Sequence, residues 1–280
     1  MTLVDAHHHV WRRADADSYP WLSGPYARLR ADKDWEELDT VFGRFEVSGS
    51  VVVQVEHTSA ETARLLADAE RRSGTYVVGW VDLRAAEVGN ELERLRALPG
   101  GQRLVGVRHL VQDEADPRWL LRDDVGRGIE ACGRAGLVVD LVVRPPQWKA
   151  VETLVADLPG VSFVLDHAGK PPLTGSIDAW RSFVQRLARR ENVACKLSGL
   201  VTEADWDGWS VASLRPAVRH LASCFGSDRL LFGSDWPMCE VAGGYEAWLS
   251  AALLLVRDCG LDAEAVLAAT ARRCYRLGSR

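Results

Sequence analysis

The sequence alternates short apolar segments with longer amphipathic segments along its whole length. Eight apolar segments can be distinguished, each followed by enough residues for a loop and a helix. They occupy positions 2–4, 50–56, 76–83, 104–110, 137–143, 161–167, 193–198 and 229–235. Uninterrupted apolar runs of this kind are typical of parallel strands covered on both faces. The pattern therefore predicts an α/β fold, namely a (β/α)₈ TIM barrel.

The segments between the strands carry helix signals, and no linker divides them. Thr58-Ser-Ala-Glu61 has the form of a capping box, and Pro99-Gly100 follows the end of a predicted helix. A barrel of this size commonly forms one domain, so we predict a single domain over residues 1–280. A doubly wound open sheet is the alternative, but no glycine-rich phosphate turn follows the first strand.

One connection is unusually long. Positions 12–34 separate the first strand from the first long helix and include Tyr19-Pro-Trp-Leu22 and Gly24-Pro25. Long loops without secondary structure of their own often act as lids, so we expect this connection to pack over a site.

The composition excludes several classes of partner. The net charge is −5, which argues against a nucleic-acid partner because that function needs a basic surface. No apolar run approaches the roughly 20 residues that span a bilayer, and no signal-peptide pattern opens the chain, so we expect no membrane partner. The six cysteines are scattered without a CxxC pair, which fits reduced thiols in a cytoplasmic protein.

The first strand leads directly into Asp5, His7, His8 and His9. Side chains two residues apart on a strand share a face, so His7 and His9 should point to one spot and His8 to the other side. Two imidazoles at the end of a strand form half of a metal site or an acid/base site.

Polar residues also end the other predicted strands, at the edge where a TIM barrel carries its active site. These residues are Gln54, Glu56, Arg108, His109, His167, Lys196 and Asp235. Buried polar groups are costly unless they are paired or functional, so a structural role remains the alternative for each one, above all for Gln54, Glu56 and Lys196. Asp166, next to His167, is expected to point outward by alternation.

Four of these residues could carry the chemistry. His7, His9, His167 and Asp235 suit one divalent ion such as zinc, with an open position for water. The same set could also work without metal, with histidines polarising a carbonyl and Asp235 taking a proton from water. The residues alone leave both alternatives open.

Other polar and aromatic residues are candidates for binding the substrate. Arg108, His109 and Arg144 could hold an anion or sugar hydroxyls, although Arg144 could equally be a surface or ion-pair residue. Trp80 and Trp236 could stack on a sugar ring, or they could pack at the barrel rim. With Gln54, Glu56 and Lys196 they complete the predicted substrate-binding set.

Several segments together resemble a known family. They are VDAHHHVW (4–11), VVVQVE (51–56), GVRHLVQDEADPRWLL (106–121), DHAGKP (166–171), KLSGL (196–200), RLLFGSDWPMC (229–239) and TARRCYRL (270–277). In this order they resemble the amidohydrolase-related lactonases, a group that includes L-fucono- and L-rhamnono-lactonases and, more distantly, 2-pyrone-4,6-dicarboxylate lactonase and 4-sulfomuconolactone hydrolase.

The resemblance implies a hydrolase that opens the lactone ring of a sugar acid in carbohydrate catabolism. His7, His9, His167 and Asp235 match the family's motif positions, with Asp235 and His167 as the catalytic pair. The binuclear pattern of the superfamily is not found, because Asp140 is the only polar residue within the fifth strand. We therefore expect at most one divalent metal and no organic cofactor.

Two other functions remain as alternatives. A non-oxidative decarboxylase of an aromatic or muconate-type acid could use a similar histidine and aspartate set. A catalytically silent barrel could serve as a binding protein. The expected partner is a small lactone, and a homo-oligomer stays open.

Overall fold

The computed structural model describes residues 2–16, 19 and 21–278. Within them, eight parallel strands form one sheet in sequential order, each paired with the next along the chain. The strands are β1 (Leu3–His8), β2 (Val47–Val53), β3 (Thr75–Gly79), β4 (Leu104–His109), β5 (Val138–Leu141), β6 (Phe163–Leu165), β7 (Val193–Leu197) and β8 (Leu230–Phe232). This order confirms the predicted (β/α)₈ barrel.

The residues that follow β8 close the barrel against β1. The backbone N–H of Asp235 donates to the carbonyl of His7 at 2.8 Å, and that of His9 donates to the carbonyl of Trp236 at 2.7 Å. The two ends of the sheet are thus joined at the histidines that end β1.

The α-helices of the described chain lie between the strands and after β8. They are α1 (Arg13–Ala16), α2 (Trp35–Phe45), α3 (Ser59–Glu70), α4 (Val88–Arg96), α5 (Asp123–Arg134), α6 (Trp148–Asp157), α7 (Asp178–Leu187), α8 (Val211–Phe225), α9 (Gly244–Asp258) and α10 (Thr270–Tyr275). No helix of the described chain is both long and apolar enough to cross a bilayer.

The predicted capping box at the start of α3 forms only in part. The hydroxyl of Thr58 accepts the backbone N–H of Glu61, as expected of an N-cap. The Glu61 carboxylate reaches further back, where it accepts the backbone N–H groups of Val55 and Glu56. It therefore ties α3 to the segment that follows β2.

Buried side chains fill two regions. A large cluster lies between the strands and the helices, and a smaller one includes Val4, Val51, Val78 and Tyr275. The members of the smaller cluster alternate along the strands with members of the larger one, which places them inside the barrel. Tyr275 of α10 brings the end of the chain into this inner cluster.

Several strands end earlier than predicted. β6 stops at Leu165 and β8 at Phe232, whereas the predicted runs continue to His167 and Asp235. Both of these residues have left-handed backbone conformations, with φ of 50° and 57°. They therefore lie on turns, and the alternation of strand side chains does not apply to them.

The long connection between β1 and α2 contains α1 and a 3₁₀ turn at Gly24–Leu29. Trp21 and Tyr26 from this connection line a cavity at the ends of the strands. Positions 17, 18 and 20 of the predicted lid lie outside the described residues.

Candidate active site

His7 and His9 point to the same spot, and His8 points elsewhere. The two Nε2 atoms of His7 and His9 are 3.2 Å apart. His8 is buried among Trp35 and Phe42, with ring centroids 5.7 and 5.4 Å away. The consecutive histidines thus divide into two that face the site and one that packs against α2.

Asp235 brings a carboxylate to these two imidazoles. Its Oδ1 lies 3.8 Å from His7 Nε2, 3.6 Å from His9 Nε2 and 3.9 Å from His167 Nε2. All four residues are at most 6% exposed. The structure therefore gathers the four residues of the predicted chemical set around one carboxylate oxygen.

His167 is held in place by the segment that directly follows β7. Ser198 Oγ lies 2.9 Å from His167 Nδ1. A β-carbon on Gly199, whose φ is +62°, would come within 2.5 Å of the His167 ring. Only glycine at position 199 leaves room for the imidazole in this orientation.

The environment sets the protonation of these groups. Burial lowers the pKa of His167 to about 4 and holds the pKa of His7 well below its ordinary value. Burial opposes ionisation of Asp235, but His167 and His9 outweigh it and keep its pKa below the ordinary value. At neutral pH the His7 and His167 imidazoles are therefore neutral, and the Asp235 carboxylate is ionised.

These donors fit a metal ion. The carbonyl of Val53 lies 2.8 Å from His9 Nδ1 and can only accept, so His9 Nε2 keeps its lone pair for a ligand. The separations of 3.2, 3.6 and 3.8 Å among His7 Nε2, His9 Nε2 and Asp235 Oδ1 are near the roughly 3.3 Å edge of a tetrahedral zinc site. His7, His9 and Asp235 could therefore hold one divalent ion.

A buried network of charges lies behind His7. Lys196 Nζ is 2.6 Å from Asp140 Oδ2, 2.9 Å from Asp166 Oδ1 and 3.0 Å from His7 Nδ1. The hydroxyl of Tyr275 lies 2.8 Å from both Asp140 oxygens. Lys196 thus holds two carboxylates and one imidazole inside the barrel, away from the cavity lining.

Asp166 corrects an expectation from the sequence. It was predicted to point outward, but it is fully buried and lies 3.1 Å from the Arg108 guanidinium. β6 ends at Leu165, and Asp166 lies on the same inner face as Val164, two residues earlier. His167 would point outward on a continued strand, but the turn at Asp166–Gly169 directs its side chain to the site instead. Both residues therefore face the interior.

A cavity of about 200 Å³ opens over His9, His167 and Asp235. Of the predicted substrate-binding residues, Arg108 and Arg144 line it. The guanidinium of Arg108 also donates to the carbonyl of Gln54 at 2.6 Å. The remaining predicted substrate contacts lie elsewhere.

His109 and Trp80 contact each other outside the cavity lining. Trp80 Nε1 donates to His109 Nδ1 at 3.2 Å, and His109 Nε2 lies 2.6 Å from Glu114 Oε1. The His109 ring stacks on Trp119 at 4.1 Å. Because His109 directly follows the inward-facing Arg108 on β4, strand alternation turns it away from the cavity.

Three more predicted substrate contacts are engaged within the protein. Gln54 Nε2 donates to the carbonyl of Arg108 at 3.1 Å, and Glu56 accepts from Thr58 Oγ1 at 3.3 Å. The Trp236 ring is 1% exposed and lies 5.9 Å from Lys33 Nζ. Like Lys196, these residues lie outside the cavity lining, so we assign them structural roles.

The structure also brings residues to the cavity that the sequence did not single out. They are Gln112, Asp113, Lys170 and Glu203, from loops after β4, β6 and β7. The only sequence pattern that could have indicated one of these cavity residues is the position of Lys170 directly after His167-Ala-Gly. The others could not be predicted, because loop residues carry no periodicity.

Comparison with known proteins identifies the family. The amidohydrolase family model matches residues 4–277. An L-fucono-1,5-lactonase from Burkholderia multivorans is 36% identical over 296 aligned positions, covering 98% of this chain and 96% of the relative. An L-fucono-1,5-lactonase from Burkholderia ambifaria is 35% identical over 252 positions, covering 88% of this chain and 85% of the relative.

A solved structure agrees with these relatives. The crystal structure of an amidohydrolase from Burkholderia multivorans with bound zinc superposes with a TM-score of 0.92 at 35% identity. The match covers 99% of this chain and all of that one. The chain therefore belongs to the amidohydrolase family.

Proposed function

We propose that this protein is a lactonase that hydrolyses the lactone ring of a sugar acid, of the L-fucono- or L-rhamnono-lactone type. The observation that carries the proposal is the Asp235 carboxylate within 4 Å of the His7, His9 and His167 imidazoles at the base of a small cavity. The family relatives named L-fucono-1,5-lactonase support the reaction class.

The cavity suits an uncharged polar ring. Its volume of about 200 Å³ is below the roughly 300–1,000 Å³ of pockets for drug-sized ligands, so it fits one small ring. Its cationic side chains are Arg108, Arg144 and Lys170, and its anionic ones are Asp113, Glu203 and Asp235. Their formal charges cancel, which favours a neutral lactone over a carboxylate.

The chain's own residues provide acid/base chemistry. Asp235, with His167 beside it, accepts a proton from water as the water oxygen attacks the lactone carbonyl. The ring C–O bond then breaks, and Asp235 returns the proton to the departing alkoxide. Water is consumed, and the product is an open hydroxy acid.

The carbonyl oxygen needs stabilisation while it carries negative charge. His7, His9 and Asp235 would hold a divalent ion, which we propose to be zinc. When bound, such an ion supplies Lewis-acid polarisation of the carbonyl and lowers the pKa of water. Lys196 and Asp166 keep the His7 ring in position for this role.

The decarboxylase alternative has less support. A carboxylate substrate needs unpaired cationic groups, but Arg108 is bonded to Asp166 and to the Gln54 carbonyl, and Arg144 and Lys170 both face Glu203. Release of carbon dioxide from an aromatic acid would reverse this choice.

We further propose that the enzyme works on small lactones in carbohydrate catabolism in the cytoplasm, without a nucleic-acid or membrane partner. The scattered cysteines and the net charge of −5 support this setting.

The test is a pH-indicator hydrolysis screen with sugar 1,4- and 1,5-lactones beside muconolactones. Wild-type protein should acidify the sugar lactones, and Asp235→Asn should lower kcat by about 10²–10⁴-fold because it removes the base. Circular dichroism should show both proteins folded.

The neighbouring histidines provide a matched control. His8→Leu should retain turnover, since His8 packs against α2, whereas His9→Leu should lose it. Undiminished sugar-lactone turnover by Asp235→Asn would contradict the proposed mechanism.

A further inference from the structure

One fully buried tyrosine takes no part in the proposed hydrolysis. Tyr275 of α10 is 1% exposed and belongs to the cluster inside the barrel. The adjacent residues Arg273 and Cys274 line a cavity together with Val138 and Val193, where β5 and β7 begin. Since the candidate site lies where the strands end, α10 approaches the barrel interior from the opposite side.

The hydroxyl of Tyr275 belongs to a buried chain of hydrogen bonds. It donates to the Asp140 carboxylate and lies 2.8 Å from each carboxylate oxygen. Lys196 Nζ donates to the same carboxylate, at 2.6 Å from Oδ2. In the described part of the chain no other group donates to Asp140, so its charge is shared between one ammonium and one hydroxyl.

Lys196 extends this chain to the candidate site. Its Nζ lies 3.0 Å from His7 Nδ1 and 2.9 Å from Asp166 Oδ1. Nζ also lies 5.5 Å from the centre of the Tyr275 ring, within the range of a cation–π contact. Tyr275 therefore acts on the ammonium in two ways, directly through its ring and indirectly through Asp140.

His7 connects this chain to the other candidate metal ligands. Its Nδ1 faces Lys196, and its Nε2 lies 3.2 Å from His9 Nε2 and 3.8 Å from Asp235 Oδ1. Both nitrogens belong to one rigid ring, so a displacement at Nδ1 also moves Nε2. Without the Tyr275 hydroxyl, Asp140 would depend on Lys196 alone, and the ammonium would move toward Asp140 and away from His7.

We propose that Tyr275 is a positioning residue for the candidate site, which orients the His7 imidazole through Asp140 and Lys196. The four side chains come from α10, β1, β5 and β7, and each residue is at most 1% exposed. Partners of this kind fix the orientation of an imidazole in metal sites and in acid/base sites. This inference goes beyond the proposed function, because the orientation of His7 can be measured without any substrate.

The test removes one oxygen atom. Tyr275→Phe retains the ring against Lys196 but takes the second donor from Asp140, and because the packed ring is preserved the variant should fold. Two-dimensional NMR of chelator-treated protein with isotope-labelled histidine would record both ring nitrogens of His7, which His7→Gln identifies by their absence. Because these chemical shifts depend on the contact at Nδ1, both should differ from the wild-type values in Tyr275→Phe.

Tyr76→Phe is the matched control. Tyr76 also lies in the inner cluster, and its hydroxyl accepts the backbone N–H of Gly278 at 2.7 Å. This hydroxyl therefore bonds to the segment after α10 and not to Asp140. Tyr76→Phe should keep the wild-type chemical shifts of His7.

Kinetics provide a second measurement. Loss of a partner that orients a site residue typically lowers activity by about 10–100-fold, so Tyr275→Phe should lower kcat for L-fucono-1,5-lactone by about tenfold. KM should change little, because Tyr275 does not line the cavity over the site. Circular dichroism should show both tyrosine variants folded.

The outcomes separate this inference from the proposed function. Wild-type His7 shifts in Tyr275→Phe, or equal displacements in the two tyrosine variants, would overturn the inference. An undiminished kcat in Tyr275→Phe, with active wild-type protein, would overturn it as well. If the His7 shifts move as expected and wild-type protein hydrolyses no lactone, the proposed function fails and the role of Tyr275 stands.

Discussion

The ammonium of Lys196 is fully buried and holds the interior of the site together. It contacts Asp140, Asp166 and His7 within 3.0 Å. Burying an ion pair gives little net stability, but removing one partner leaves the other charge uncompensated. Lys196 therefore stabilises the fold mainly because its loss would leave Asp140 and Asp166 as uncompensated buried charges.

Lys196→Met should lower the free energy of unfolding by about 3–5 kcal/mol, because Asp140 and Asp166 would lose their shared cation. Urea denaturation would measure the change. The matched control is Lys149→Met, since Lys149 is 85% exposed in its pair with Glu152 and should have little effect. Equal urea midpoints for Lys196→Met and wild-type protein would contradict this role.

At the level of elements, the turns that follow the strands position the site. β6 and β8 end before His167 and Asp235, whose left-handed backbones direct both side chains to the cavity. The turn after β2 is held differently, by Glu61 of α3. Its carboxylate accepts the N–H of Val55 at 3.0 Å and that of Glu56 at 2.7 Å.

Because Glu61 is titratable, the contact between α3 and the turn after β2 should make the stability of the protein depend on pH. Burial raises its pKa from 4.5 to about 7, so the folded protein binds this proton more tightly than the unfolded chain does. The stabilisation from its protonation is complete below about pH 4.5 and is lost as the pH rises through about 7. Glu61→Gln cannot titrate, so wild-type protein should lose stability relative to this variant across that window.

Urea denaturation at pH 5 and pH 8 would measure the difference between wild-type protein and Glu61→Gln. Glu246→Gln is the control, because its side chain is 64% exposed and pairs with Arg44. If the stability of wild-type protein relative to Glu61→Gln increased from pH 5 to pH 8, the result would contradict a raised pKa of Glu61.

For the whole molecule, the site and the closure of the barrel coincide. The backbone bonds that join β1 to the segment after β8 involve His7, His9, Asp235 and Trp236. Three of these residues are also the candidate metal ligands. A bound ion would therefore connect the first and last strands.

Zinc should raise the thermal midpoint of the chelator-treated protein, because an ion that binds only the folded state stabilises it by about 4 kcal/mol at a thousandfold excess over Kd. Differential scanning calorimetry would measure the shift. His9→Asn should reduce the shift, whereas His220→Asn on α8 should keep it. An equal shift in both variants would place the ion elsewhere.

Much of the fold and part of the site could be predicted from the sequence. Each strand shows as an apolar run, and the strand ends in a barrel meet at one edge, so His7, His9, His167 and Asp235 were predicted to gather. The alternation of side chains along a strand could also have excluded His109 from the cavity, because Arg108, which immediately precedes it, faces the cavity. Gln112, Lys170 and Glu203 lie on turns without a period, so no pattern predicted their convergence.

The barrel and the grouping of His7, His9, His167 and Asp235 could be predicted from the sequence, because hydrophobic periodicity and strand ends are local properties of the chain. Which polar groups contact one another became visible only in the folded chain. Lys196 pairs with residues 56 and 30 positions away, and Glu203 meets Lys170 and Arg144 across neighbouring loops. Such contacts depend on where loops turn and on which charges can be buried together. Neither property can be predicted from the local hydrophobic periodicity of the sequence.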